Sequence, residues 1–302
     1  MEYYLRPAAS FRQQVKDRFR PPYGKPKGYS IGMEKLEHIR FEPSQTSLWT
    51  GFNGHGKSLF LNQLMLASVA DSGERYIVAS LEMLPDRNLV RTARQVKNKV
   101  CPDVEEIDHC LDWCGESIQF YDYVGSADVK TMINNFVLGV ETLGVTSIII
   151  DSLMKMGLAE DDYSKQKLFV EEMSNFALKY NTHVHIVAHS RKQQDESGVP
   201  GKMDVMGAGG MTNIVDNGFT VWRNKAKEKK VNDCYLIGSE PDHSLLSEKD
   251  ALLNCWKSRD LGADAEKIYA LWFDQTSMQY LERYGYAPRS FTDFDDSGDF
   301  PL

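Results

Sequence analysis

The amino-acid sequence predicts an α/β fold in which a mainly parallel central sheet is flanked by helices. Short apolar segments of strand character alternate with stretches of helical periodicity, and the early strands are separated by enough chain for helical crossovers. A glycine-rich octapeptide stands between the first long strand and the first long helical pattern. The 302 residues, 42% of them hydrophobic and 26% charged, suffice for one large domain with a full core or for two small ones.

Residues 1–28 read as an arm. Phe11, Val15 and Phe19 make a short amphipathic piece, and the prolines and glycines between Pro21 and Gly28 cannot hold a helix, so they separate the arm from the main domain. Residues 29–287 carry the α/β pattern, with strands expected at 47–51, 76–80, 147–151, 184–189, 218–223, 252–257 and 268–273. The last strands have short connections and are expected to form an antiparallel edge. Residues 288–302, PRSFTDFDDSGDFPL, hold few apolar residues beyond the phenylalanines and read as an acidic, disordered tail.

The octapeptide Gly51-Phe52-Asn53-Gly54-His55-Gly56-Lys57-Ser58 fits the phosphate-loop pattern G-x-x-x-x-G-K-[ST], with a strand before it and a helix after it. In that setting the glycines let backbone N–H groups close around a β-phosphate, Lys57 reaches the β/γ oxygens and the Ser58 hydroxyl ligates Mg²⁺. Ile148-Ile149-Ile150-Asp151 ends a buried strand in a carboxylate, which is costly without a partner. Mg²⁺ shared by Ser58 and Asp151 supplies that partner; an aspartate capping the next helix is the structural alternative.

Strand 76–80 leads into Leu81-Glu82-Met83, and it is expected beside the phosphate-loop strand in the sheet. Glu82 is the expected base that orients the attacking water, against the plainer account of an acid at a helix N-terminus. Strand 184–189 ends in His189, placed to touch the γ-phosphate, although a lone histidine on an apolar strand is more often structural. The polar, glycine-rich segment 191–210 comes next, and Arg191, Lys192 and Lys202 are its expected contacts to nucleic-acid phosphates.

The phosphate loop, Ser80-Leu81-Glu82-Met83, Ile150-Asp151-Ser152, Ala188-His189-Ser190-Arg191-Lys192 and Lys257-Ser258-Arg259 occur in an order that resembles DnaB-like replicative helicases, including the helicase halves of phage primase-helicases and mitochondrial Twinkle. The likeness covers residues 29 to about 281. It implies a RecA-like core in a ring, usually hexameric, that binds ATP or another nucleoside triphosphate with Mg²⁺ between subunits and translocates on single-stranded DNA. It further implies that Lys57, Ser58 and Asp151 hold nucleotide and metal, that Glu82 is the catalytic base and His189 the phosphate sensor, and that Lys257 and Arg259 form a Lys-x-Arg element whose arginine reaches the neighbour's site. From spacing alone, Lys257 and Arg259 alternate on a strand and can simply face water. Many members have glutamine at the position of His189, and larger members carry a primase or helical collar where this sequence has the arm, so no primase activity is expected.

The formal charge of −8 argues against a protein that coats nucleic acid with its whole surface but leaves local basic patches, such as Arg87, Arg91, Arg94 and Lys97 at helical spacing or the run from Asn224 to Lys230. No secretory signal or membrane-length apolar run is present, and five cysteines without framework spacing agree with a reducing, cytosolic compartment. His109, Cys110 and Cys114 lack a second ligand pair, so the cysteines are expected in the core. The tail alternates phenylalanines with aspartates and ends Phe-Pro-Leu, which suits recruitment of a replisome protein such as a polymerase, primase or single-strand-binding protein, or simply solubility. Two other readings stand beside the helicase: a RecA/RadA-like recombinase, and a nucleotide-dependent primosome assembly factor.

Overall fold

The computed structural model describes residues 5–19, 27–123, 128–153, 163–190, 198–205, 208–261 and 267–292. A short turn, Ala8–Phe11, and helix α1 (Arg12–Arg18) form the arm, and β1 (Tyr29–Ser30) pairs antiparallel with β2 (Arg40–Phe41). Then come β3 (Gln45–Thr50), α2 (Lys57–Ser72), β4 (Tyr76–Ser80), α3 (Pro85–Lys97), α4 (Val104–Gly115), β5 (Ile118–Phe120), α5 (Val129–Leu143), β6 (Ser147–Asp151), α6 (Tyr163–Tyr180) and β7 (His183–Val187). The chain continues through α7 (Ala208–Ile214), β8 (Asn217–Arg223), α8 (Lys225–Leu236), α9 (His243–Ser247), β9 (Ala251–Ser258), β10 (Lys267–Asp274) and β11 (Gln279–Leu281).

Among the described residues one nine-stranded sheet runs in the order β11-β10-β9-β8-β3-β7-β6-β4-β5. From β8 to β5 neighbouring strands are parallel, and β9, β10 and β11 add the expected antiparallel edge. The central strands are buried on both faces, as parallel strands covered by helices must be. Neighbouring residues point to opposite sides: Trp49, Ile149 and Val187 join a cluster with Phe60 and Leu64 of α2, while Leu48, Ile150 and Ile186 join Phe136 of α5 and Phe169 of α6. Trp49 stacks on Phe219 at 4.4 Å between ring centroids, a contact worth about 1 kcal/mol beyond the area it buries.

Caps and turns set the helix limits. Asp103 and Glu106 make a reciprocal capping box at the start of α4, and Asp128 caps α5, each worth about 1 kcal/mol. Cys110 and Cys114 lie buried on α4. The basic run 224–230 is not a plain solvated face: Asn224 caps α8, and Lys227 is buried with its ammonium on Asp250 at 2.7 Å and on the Leu246 and Glu248 carbonyls. On α3, Arg94 donates to the carbonyls of Gln275 and Thr276.

The N-terminal end of the sheet is closed under β1 and β2 by a buried polar cluster in which both histidines are fully paired. The Trp49 indole N–H donates to His185 Nδ1 at 3.0 Å, which leaves the ring proton on Nε2, facing the Tyr29 hydroxyl at 2.7 Å. His183 is the opposite tautomer: Nδ1–H donates to the Glu42 carbonyl at 2.7 Å, and Nε2 accepts from the Ser47 hydroxyl at 2.8 Å. Burial pushes the His183 imidazole down to about 4 and holds that of His185 well below the usual range.

Two expectations are corrected. Strand β4 is not beside the phosphate-loop strand, because β7 and β6 pair between them. The folded domain also runs past residue 287. Arg289 pairs with Asp71, its backbone N–H donates to Gln279 Oε1 at 3.0 Å, and Phe291 is only 5% exposed, so Phe291 is a core residue and not a free anchor of the tail. An aromatic ring that finds an apolar cluster overrides the polar composition around it. Residues 293–302 lie outside the described residues.

Candidate active site

Register places the site. Ser80 lies opposite Asp151 across β4 and β6, Ile150 opposite Ile186, and Val187 opposite Trp49, so the C-terminal ends of β3, β7, β6 and β4 line one edge of the sheet in that order. The residues just beyond these ends are Gly51–Ser58, His189, Ser152 and Glu82.

The loop after β3 bends through three glycines with positive φ, Gly51, Gly54 and Gly56. A Cβ on Gly51 would sit 2.3 Å from the Val221 carbonyl oxygen, and one on Gly56 would sit 2.0 Å from the Tyr280 hydroxyl, so no larger residue fits either position. The side chains of Phe52 and His55 turn inward and meet edge to face, and His55 Nδ1 accepts from the Arg223 backbone N–H at 3.0 Å. Those two residues therefore offer a ligand their backbone, while Asn53 and Gly54 are exposed at the tip. The loop ends at the N-terminus of α2, whose unpaired N–H groups and dipole favour an anion.

Lys57 is buried, and its ammonium donates to the carbonyls of Gly51 and Phe52 at 2.9 and 3.0 Å. Burial draws it down to about 8, against the pull of the Asp151 and Glu82 carboxylates. Burial raises the Asp151 carboxyl, opposed by a hydrogen bond from the Ser58 hydroxyl. A hydroxyl hydrogen-bonded to a half-buried carboxylate is a pair of oxygen donors that suits a hard divalent cation, and the pair fits Mg²⁺. The peptide from Asp151 to Ser152 is cis.

Glu82 sits on a turn rather than on the strand itself. The Leu81 N–H donates to the Asp151 carbonyl at 2.7 Å and the Ser80 hydroxyl to the Met83 carbonyl at 2.9 Å. Glu82 Oε1 accepts from the Ser152 hydroxyl and lies 3.3 Å from His189 Nε2; the histidine first, then the serine, hold the carboxyl down at about 2. His189 Nδ1 lies 3.5 Å from Lys57 Nζ, so the imidazole bridges the loop lysine and the glutamate. A shallow cleft opens beside Glu82, lined also by Tyr121, Asp122 and Tyr123.

Lys257 and Arg259 are elsewhere. Ser258 pairs with Asn217, which pairs with Ser47, so the Lys-x-Arg element lies near the N-terminal end of β3, opposite the phosphate loop. Lys257 Nζ donates to the Thr212, Asn213 and Val215 carbonyls at the end of α7. Arg259 donates to the Asn213 and Ile214 carbonyls and pairs with Asp216 at 2.8 Å. Burial, then the charges of Arg259 and Lys202, draw Lys257 down to about 8, which puts Lys202 in this group of cations. Arg191 and Lys192 lie outside the described residues.

Sequence reasoning missed Ser152, whose hydroxyl reaches both Glu82 and His189; its signal was the hydroxyl directly after a strand-end aspartate. It also missed Tyr280 and Arg223, which wall the phosphate loop from distant strands and leave no local signal.

A family model described as an AAA domain matches residues 38–195. Among solved structures, one ATPase domain superposes with a TM-score of 0.68 at 16% identity over 91% of this chain and 96% of that one. A KaiC-like protein from the hyperthermophilic archaeon Pyrococcus horikoshii OT3 superposes with a TM-score of 0.58 at 16% identity over 84% of this chain and 98% of that one. At such identity the likeness carries the fold, which is RecA-like: a large, mostly parallel sheet flanked by helices. No helix among the described residues is long and apolar enough to cross a membrane.

Proposed function

The chain belongs to the AAA domain family, and from that premise we propose that it is a DnaB-like replicative helicase motor, an ATPase that moves on single-stranded DNA as a hexameric ring and unwinds duplex at a fork. The coarser reading, a P-loop ATPase with a RecA-like core, rests on the family match and the fold. The observation that carries the finer one is the division of charge. Lys57 stands at the phosphate-loop end, while Lys257 and Arg259 stand at the other end of the sheet. An arginine so placed cannot reach its own subunit's γ-phosphate, but it can reach a neighbour's in a head-to-tail assembly, which forms a ring when its rotation closes and a filament when it does not.

In this reading Gly51–Ser58 wrap the phosphates with backbone N–H groups, and Lys57 leaves the Gly51 and Phe52 carbonyls for the β/γ oxygens. Ser58 and Asp151 would hold Mg²⁺, which when bound neutralises charge on the transferring phosphoryl group. Glu82 orients the water. A carboxylate at about 2 is a weak proton acceptor, so its work is placement more than proton abstraction. His189, bridging Lys57 and Glu82, senses whether a γ-phosphate has taken the lysine. Arg259 of a neighbour, with Lys257, completes the charge around the transition state. Arg191, Lys192 and Lys202 contact DNA phosphates, and the acidic tail beyond Thr292 recruits a polymerase, primase or single-strand-binding protein.

The KaiC-like match keeps a second reading, a RecA-class ATPase that does not unwind. Hydrolysis of ATP measured with and without single-stranded DNA, together with unwinding of a forked duplex, separates the two. DNA-stimulated hydrolysis with strand separation supports the helicase; stimulated hydrolysis with the fork left intact removes it.

A further inference from the structure

The four strand ends place Lys57, His189, Ser152 and Glu82 side by side in the order of their strands, β3, β7, β6 and β4. Ser152 stands in the middle of this row. It is fully buried, its hydroxyl donates to Glu82 Oε1, and its oxygen lies 3.4 Å from His189 Nε2. With Nδ1 facing the Lys57 ammonium, which can only donate, the His189 proton belongs on Nε2, toward Ser152 and Glu82. Both of these side-chain contacts to the Glu82 carboxylate are on the one oxygen, Oε1.

We propose that Ser152 is a positioning residue for ATP hydrolysis: its hydroxyl clamps one oxygen of Glu82 against His189, so that the other oxygen is aimed at the attacking water. The inference rests on the ATPase reading and adds to it a residue that acts through Glu82. Its logic is mechanical. The backbone anchors of the turn, Leu81 N–H on the Asp151 carbonyl and the Ser80 hydroxyl on the Met83 carbonyl, fix where Glu82 leaves the main chain and leave its side-chain torsions free. The Glu82 side chain is 40% exposed, so water competes for it unless a buried donor holds it. Ser152 is that donor, rigid because it adjoins the strand that carries Asp151. When a γ-phosphate draws Lys57 away, His189 is released on its Nδ1 side, and the Ser152 clamp keeps Glu82 in register while the imidazole turns to the phosphate.

The test compares Ser152→Ala with wild type in steady-state ATP hydrolysis and in equilibrium binding of a fluorescent ATP analogue. Loss of one hydrogen bond to a charged, positioned group lowers kcat roughly 10- to 100-fold, while KM and analogue affinity stay within about twofold. Ser152→Thr, which restores the hydroxyl, recovers most of kcat. The combination with Glu82→Gln supplies the control for folding: on that background Ser152→Ala costs no further turnover, because there is no carboxylate left to place. Ser152→Ala with wild-type kcat, or losses in the two variants that multiply in the double mutant, overturn the clamp while leaving the ATPase reading in place. A wild-type chain without ATP turnover overturns both.

Discussion

Two histidines lie on strand β7 and a third just past its end, and the two ends of the strand treat them differently. His183 and His185 are fully buried, and each ring nitrogen has a partner at 2.7 to 3.0 Å. His189, beyond the other end, touches Lys57, Ser152 and Glu82 at 3.3 to 3.5 Å, in contacts that are long and shared. A short, saturated network in a low-dielectric interior fixes one arrangement, and breaking it leaves buried groups unpaired. Longer contacts among groups that can change partners cost little to exchange. The histidine network under β1 and β2 is therefore held in one arrangement, while the contacts of His189 at the phosphate-loop end can exchange partners.

Substitution should separate the two ends, with the largest effect at the catalytic edge. Glu82→Gln lowers ATP turnover by roughly 10²- to 10⁴-fold, the usual worth of a positioned acid–base group, while the nucleotide still binds and the melting temperature barely moves. Turnover at the wild-type rate in that variant would remove Glu82 from the mechanism. At the other end, His185→Ala strips partners from Trp49 and Tyr29 and leaves a cavity, costing about 2–4 kcal/mol in chemical denaturation. ATP turnover per folded molecule stays near wild type. A loss of turnover without a loss of stability would mean that the division between the ends is wrong.

The most gradual effect is the dependence on acid. The His183 imidazole is drawn from the ordinary 6.5 to about 4 in the folded chain, so it favours the folded state above 6.5 and loses that contribution as the pH falls toward 4. Full loss amounts to on the order of 3 kcal/mol, and part of it is visible between pH 6.5 and 5. His185 acts in the same direction. Unfolding free energies measured across that window should fall with pH in wild type and equally in His189→Ala, whose imidazole lies outside the network. A flat profile in wild type would contradict the burial of the two imidazoles in neutral form.

The candidate site was legible because its parts are local. Strands 76–80 and 147–151 match β4 and β6 residue for residue, and the glycine loop announces itself through spacing. The order of strands was not legible, since helical crossovers place β4 by packing rather than by nearness in sequence; nearness alone puts Glu82 one strand from the loop, where two strands intervene. The pairs of residues that make β1 and β2 are too short to show a period, and their worth lies in Tyr29 and Phe41, which close the polar cluster from above. Phe291 was hidden by the aspartates that come after it. For Lys257 and Arg259 the alternation along the strand was visible, but their grip on the end of α7 depends on a segment more than forty residues away in the chain.

That grip bears on the central claim, that the hydrolytic site is shared between subunits. Arg259 is held by Asp216 and two carbonyls, and its side chain remains 52% exposed, at the end of the sheet opposite its own phosphate loop. The direct measurement mixes two inactive chains, Arg259→Ala and Glu82→Gln, after co-assembly is confirmed by size and by pull-down of one tagged chain with the other. An interface that joins an intact Glu82 from the first chain to an intact Arg259 from the second is complete, so the mixture should hydrolyse ATP well above the sum of the separate variants. A co-assembled mixture no more active than that sum would contradict a shared site and return Arg259 to a purely structural role at the end of α7.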